Sequence, residues 1–217
     1  MPLHDLFSAC GGRVGVWKIE ESVSELLLLA SDRVDCLKIL KQCGSEKRAA
    51  EKLAVRVLLK LMMCDERLTI LYDSQGKPYL NDKTVELSIS HTTGHAALFI
   101  HNTCLAGVDI ETRGRKVKGL APRFLSDEEL EAIDKSREDD ALLLCWSGKE
   151  SVYKIIGKAV VDFRVSLMVK PFVVSDSGSF MISQRDDHRQ QMFNVGYQIC
   201  HDYVMTWTKK EKECDAI

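Results

Sequence analysis

Hydrophobic residues in this chain change their spacing several times between its ends, and that alternation limits the possible folds more than any other feature. From Ser45 to Met63, Ala49, Leu53, Val57 and Leu61 recur every four residues, as one buried stripe of a helix requires, while Lys47, Arg48 and Lys52 fall where solvent can reach them. From Leu105 to Glu111 the period drops to two, so that Val108 and Ile110 share one face of a strand and Asp109 and Glu111 the other. The same reading predicts strands over Gly12–Glu20, Glu86–Ser90 and Ala96–His101, and further ones near Val161–Phe172, Phe180–Ser183, Met192–Ile199 and Tyr203–Thr208. Two helices are expected between the first strand and Met63, with the run Leu26–Leu29 as core of the earlier one. Ser74-Gln75-Gly76-Lys77-Pro78 has turn chemistry, Ser126-Asp127-Glu128-Glu129 has the pattern of a capping box, and a longer helix is expected from Asp139 to about Gly157. Each half therefore reads as strand, helices and then antiparallel strands. This is an α+β fold of two lobes, 1–104 and 105–217, with no repeat visible in the letters.

Composition narrows the functional classes. A chain of 217 residues with 45% apolar content can fill a real core, and its net charge of −2 argues against a general nucleic-acid binder, which is usually basic overall. Any basic patch must be local. The eight cysteines are scattered, none forms a CxxC pair, no histidine cluster joins them and no signal-peptide pattern opens the chain, so reduced thiols in a cytoplasmic protein are expected. A zinc site has no support from spacing. Leu26–Leu29 is far too short to cross a membrane. The final Cys214-Asp215-Ala216-Ile217 is rejected as a prenylation box, because Asp215 stands where an aliphatic residue is wanted.

Three acids carry the most chemistry. Asp109 and Glu111 project from one strand face, and Glu150 adds a third hard oxygen ligand from the long helix, a set without thiol or imidazole that suits Mg²⁺ and the phosphate ester such an ion holds. Taken singly, the same residues are also ordinary solvent-facing positions, with Glu150 paired to Lys154 at i,i+4. On one helix Glu150 and Lys154 point the same way, which would set an acid at the metal and a cation beside the phosphate. His95 reads as a core-satisfied histidine, and Trp146 and Tyr153 as core of the long helix.

Gly107-Val108-Asp109-Ile110-Glu111 and Trp146-Ser147-Gly148-Lys149-Glu150-Ser151-Val152-Tyr153-Lys154, in that order and at that separation, resemble the two signatures of the 4′-phosphopantetheinyl transferases. Ser90-His91 and Gly76-Lys77-Pro78 resemble two further segments of that family, and the likeness fades before Gly12 and after about Phe172. The resemblance implies the larger, single-chain class, a monomer in which two like lobes related by a pseudo-twofold hold coenzyme A between them. It implies transfer of phosphopantetheine from coenzyme A to a serine of an acyl or peptidyl carrier protein, in fatty-acid or secondary-metabolite synthesis. By the same likeness Asp109, Glu111 and Glu150 would bind Mg²⁺, and Glu150 and Lys154 would be catalytic. Lys47, Arg48, Arg56, Lys77, Ser90, His91 and Lys154 would contact the coenzyme. The cationic stretch Arg113, Arg115, Lys116 and Lys118, with Arg123 and Phe124 beyond it, is expected to dock the carrier, since carriers of this kind are acidic around their serine. The rival readings are a coenzyme-binding module without turnover and a Mg²⁺-dependent phosphohydrolase.

Overall fold

A computed structural model of the protein describes residues 3–30, 33–157, 162–185 and 190–212, which form two compact units, Met1–Cys104 and Leu105–Ile217. The chain is a mixed α+β protein built on antiparallel sheets.

The first unit opens with a hairpin of β1 (Leu3–Ala9) and β2 (Gly12–Lys18). Its two-residue turn is Cys10-Gly11, with φ of 52° and 84°, the doubly positive geometry that matches the twist of paired strands. β1 is absent from the expectations above because Asp5 interrupts the apolar series on its inward face. Three helices follow where two were expected: α1 (Val23–Leu29), α2 (Arg33–Gln42) and α3 (Glu46–Met63). Ser22 and Glu25 form a capping box that starts α1. Of its leucine run only Leu26 is fully buried, while Leu28 is 85% exposed, so the expectation of a four-leucine core is corrected to one residue. α3 begins at the Ser45 cap and stops where Cys64 adopts a left-handed φ of 54°. Of the expected stripe, Ala49, Leu53 and Val57 are buried but Leu61 is exposed; Leu58, Leu59 and Met62 are buried instead, so the apolar face is wider than a single row and turns away from Leu61 at the end of the helix.

β3 (Ile70–Tyr72) and β4 (Pro78–Leu80) form a small hairpin, and β5 (Glu86–Thr92) and β6 (His95–His101) complete a four-stranded sheet in the order β1-β2-β6-β5. α3 packs over β2 and β6, burying Trp17, Leu53, Leu58, Leu98 and Ile100 together. His101 ties the hairpin turn to this sheet, since its Nδ1 accepts from the Cys104 amide at 2.9 Å while Nε2 donates to the Cys10 carbonyl at 3.2 Å.

β7 (Cys104–Thr112) leads from the last residue of the first unit into the second, which continues through a 3₁₀ turn (Lys118–Arg123) to α4 (Asp127–Glu131), which carries the expected Ser126–Glu129 capping box. A further 3₁₀ turn (Lys135–Arg137) leads into α5 (Glu138–Ile156). The sequence predicts strand from Val161 to Phe172, but Phe163–Ser166 is helical, as α6, and β8 covers only Leu167–Val169; Val161 lies outside the described residues, as does Cys214–Ile217. Asp162 accounts for the difference: its side chain accepts from the Arg164 amide at 2.8 Å and caps a helical turn. β9 (Ser177–Arg185), β10 (Gln190–Ile199) and β11 (Tyr203–Glu211) finish a five-stranded sheet ordered β7-β11-β10-β9-β8, against which α5 packs. Among the described residues no helix is long and apolar enough to cross a membrane, and the seven described cysteines are free thiols.

Candidate active site

The second unit brings the two motif segments into direct contact. β7 meets α5 at Gly107, where a Cβ would stand only 2.1 Å from the Ser151 carbonyl oxygen, so the strand can come this close only without a side chain. α5 is pinned to β11 by a buried hydroxyl cluster: Thr206 Oγ1 lies 2.9 Å from Ser147 Oγ and 2.7 Å from Ser151 Oγ, and Ser151 Oγ also donates to the Thr206 carbonyl at 3.1 Å. These contacts set Asp109 beside Lys154. Lys154 Nζ donates to Asp109 Oδ1 at 2.9 Å and to the Val108 carbonyl at 2.8 Å, and Asp109 is 5% exposed.

Glu111 is held differently. Trp146 Nε1 donates to its Oε1 at 2.7 Å, and Arg115 forms an ion pair with the same oxygen while its guanidinium lies 5.9 Å over the Trp146 ring. No described residue hydrogen-bonds to the Glu150 carboxylate. Burial pushes its carboxyl up to about 7, the negative charge of Asp109 pushing the same way and Lys154 opposing. Glu150 thus feels Asp109, and to a lesser extent Glu111, through space.

The donor set of Asp109, Glu111 and Glu150 is made only of hard carboxylate oxygens, and in kind it fits a magnesium-like cation. As arranged here, Lys154 and Arg115 take two of the three carboxylates, and among the described residues no group of three acidic, histidine or cysteine side chains is gathered closely enough to hold a metal. Binding an ion would require Asp109 or Glu111 to exchange its cation for it.

Beside Glu150 an open groove of about 610 Å³ is lined by Arg115, Val117, Leu120, Phe124, Trp146 and Phe163, with Arg123 and Asp162 at its polar edge. Trp146 packs edge-on against Phe124, with ring centroids 5.2 Å apart, and lies 5.9 Å from Phe163. Phe124 is 3% exposed, so its ring belongs to the groove wall rather than to an outward surface. The cations of the expected docking stretch are largely spoken for: Arg113 pairs with Asp140, Arg115 with Glu111 and Lys118 with Glu138. Lys116 and Arg123 are exposed and have no ion pair among the described residues.

In the first unit, Lys47 and His91 come to one corner. Lys47 Nζ donates to Thr93 Oγ1 at 3.2 Å, and His91 Nδ1 lies 3.3 Å from Oε2 of Glu51, one helical turn further along α3. Arg48 is exposed on the same first turn, and Ser90 is buried next to His91. Lys77 lies 4.0 Å from Glu86, at the far end of β5, and five residues of strand separate Glu86 from His91 by roughly 16 Å. Arg56 is held by the interior: it is 7% exposed, its Nε donates to Asp35 at 2.8 Å and its Nη2 to the Ile70 carbonyl at 3.3 Å, so it clamps α2, α3 and β3 together from inside.

Sequence reasoning left two residues of this region without a role. Trp146 is more than core, because its indole N–H orients Glu111. Lys149 is fully buried, and its Nζ donates to the Phe124 carbonyl at 2.6 Å, the Phe163 carbonyl at 3.2 Å and Glu129 Oε2 at 3.0 Å. The signal for it is positional: Lys149 falls on the stripe Ala141, Leu142, Cys145 and Val152, where a lysine can be tolerated only with an acid such as Glu129 beside it.

Compared with known proteins, residues 106–208 match the family model described as the 4′-phosphopantetheinyl transferase superfamily. No curated protein matches the chain.

Proposed function

We propose that this chain, whose residues 106–208 match the 4′-phosphopantetheinyl transferase superfamily, transfers 4′-phosphopantetheine from coenzyme A to a serine of an acyl or peptidyl carrier protein, acting as a single chain of the larger, two-lobed class. The observation that carries this reading is the convergence of Asp109, Lys154 and Glu150 at the contact of β7 with α5, with an apolar groove opening directly beside them.

In this reading Asp109, Glu111 and Glu150 hold Mg²⁺, which when bound supplies charge neutralisation at the coenzyme pyrophosphate. The carrier serine oxygen forms a bond to the phosphorus that bears pantetheine, and the bond from that phosphorus to the bridging oxygen of the pyrophosphate breaks. The leaving group is 3′,5′-adenosine bisphosphate. Glu150, to whose carboxylate no described residue hydrogen-bonds, takes the serine proton directly or through a water. Lys154 stands beside Asp109 and offsets charge on the transferred phosphate. Lys47, Arg48, Lys77, Ser90 and His91 of the first unit contact the coenzyme. Lys116 and Arg123 steer the acidic carrier toward the groove, with Arg113, Arg115 and Lys118 behind them.

The reading is tested by chromatographic detection of 3′,5′-adenosine bisphosphate. Its release must require coenzyme A, the divalent cation and a carrier with its serine intact. Release with a serine-to-alanine carrier would mark a phosphohydrolase, and no release under any condition would mark a binding module.

A further inference from the structure

Phe124 and Phe163 form two walls of the groove beside Glu150, yet they come from separate segments, the end of a 3₁₀ turn and the first residue of α6. Both walls have their main-chain carbonyls tied to the same atom. Lys149 Nζ donates to the Phe124 carbonyl at 2.6 Å and to the Phe163 carbonyl at 3.2 Å, and its charge is met by Glu129, whose carboxylate also accepts from the Ser126 amide at 2.8 Å and from the Val169 amide at 2.7 Å. An ammonium group has three donors, and here each has an acceptor. Lys149 has no exposed surface and cannot touch a substrate, although it precedes Glu150 in the chain.

Resting on the function proposed above, we propose that Lys149 is a positioning residue: it fixes the separation of the Phe124 and Phe163 walls around Trp146, and so shapes the groove that receives the carrier protein. A buried ammonium needs acceptors for all three of its donors whatever its role, so what distinguishes this one is which acceptors it takes. This one spends two of its three donors on the backbone of the residues whose rings line the groove. The Trp146 ring touches both walls, so it reports their spacing.

Lys149→Met alone strands the Glu129 charge in the interior and destabilises the unit strongly, so the decisive variant is Lys149→Met with Glu129→Gln. That pair removes both charges together, as a buried ion pair must be removed if the fold is to survive, and the one glutamine oxygen keeps an acceptor for the Ser126 amide that starts α4. Two readouts apply. The chain has three tryptophans, and in ¹⁵N-labelled protein the indole resonance of Trp146 is expected to move while those of Trp17 and Trp207 stay in place. In the transfer assay the carrier KM is expected to rise at least about fivefold, with kcat and coenzyme KM within about twofold, the pattern of lost uniform binding. An unmoved Trp146 resonance, or a moved one with wild-type carrier KM, overturns the proposal. Failure of the proposed function is read separately, on the wild-type protein, as absence of any transfer; the Trp146 resonance then decides alone.

Discussion

Gly107→Ala is the sharpest perturbation of the contact between the two motif segments. A Cβ at this position would lie 2.1 Å from the Ser151 carbonyl oxygen and 3.0 Å from Ile155 Cγ1. The first neighbour is helix backbone, which cannot rotate away, so β7 and α5 must part by about 1.3 Å to reach an ordinary contact of 3.4 Å. Overpacking of this kind costs about 1–3 kcal/mol of stability. The same opening carries Lys154 Nζ, now 2.9 Å from Asp109 Oδ1, beyond hydrogen-bond reach. A misplacement on the order of 1 Å at a reacting centre costs about 10²-fold in rate. Urea unfolding followed by circular dichroism measures the first effect, and single-turnover transfer on the folded protein the second. Gly119→Ala is the control, since no atom lies within 4 Å of its Cβ. Wild-type stability and rate in Gly107→Ala would refute the argument that this glycine sets the strand-to-helix spacing.

Other outcomes are expected together. Asp109→Ala and Glu150→Gln lower transfer by at least about 10²-fold with unchanged far-ultraviolet dichroism, and Glu111→Gln does so less severely; near-normal turnover in either of the first two would remove the metal assignment. Lys154→Ala lowers the single-turnover rate more than it weakens coenzyme binding, and a change in the dissociation constant alone would make it a simple ligand. Lys116→Glu with Arg123→Glu weakens carrier binding and its salt dependence while leaving coenzyme affinity unchanged. Arg115 is left out of that pair because reversing it would also disturb Glu111. Arg56→Met destabilises the first unit by about 2–4 kcal/mol in urea unfolding, because Asp35 loses its buried partner. Coenzyme affinity of the folded fraction stays at the wild-type value, and a large loss there would make Arg56 a ligand.

Features written in local spacing were legible in the letters. The Ser126–Glu129 capping box, the stripe of α3 as far as Val57 and the two-residue alternation of β7 each depend on neighbours a few positions apart. What escaped depends on distant partners. β1 is an edge strand whose inward Asp5 hides the pattern, and α6 arises from a local cap in a stretch that reads as apolar strand. Arg56 sits at the margin of a helical stripe like any solvated arginine, and only the fold brings Asp35, 21 positions away, onto its guanidinium. Lys149 is similar: Phe124, Glu129 and Phe163 are separated from it by 25, 20 and 14 positions, so no spacing rule in α5 announces what it holds. The acids differ again. Their order along the chain is visible, but the pairing of Asp109 with Lys154 and of Glu111 with Trp146 and Arg115 requires the sheet and the helix to meet.

Group transfer to a carrier serine is read out by intact-mass measurement of the carrier. Purified protein is incubated with coenzyme A, Mg²⁺ and an apo carrier, with Asp109→Ala protein in a parallel reaction. The carrier is expected to gain the mass of one phosphopantetheine, localised by fragmentation to its serine, with the wild-type protein only. A carrier whose mass is unchanged after exhaustive incubation, or one modified equally by the Asp109→Ala protein, would contradict it.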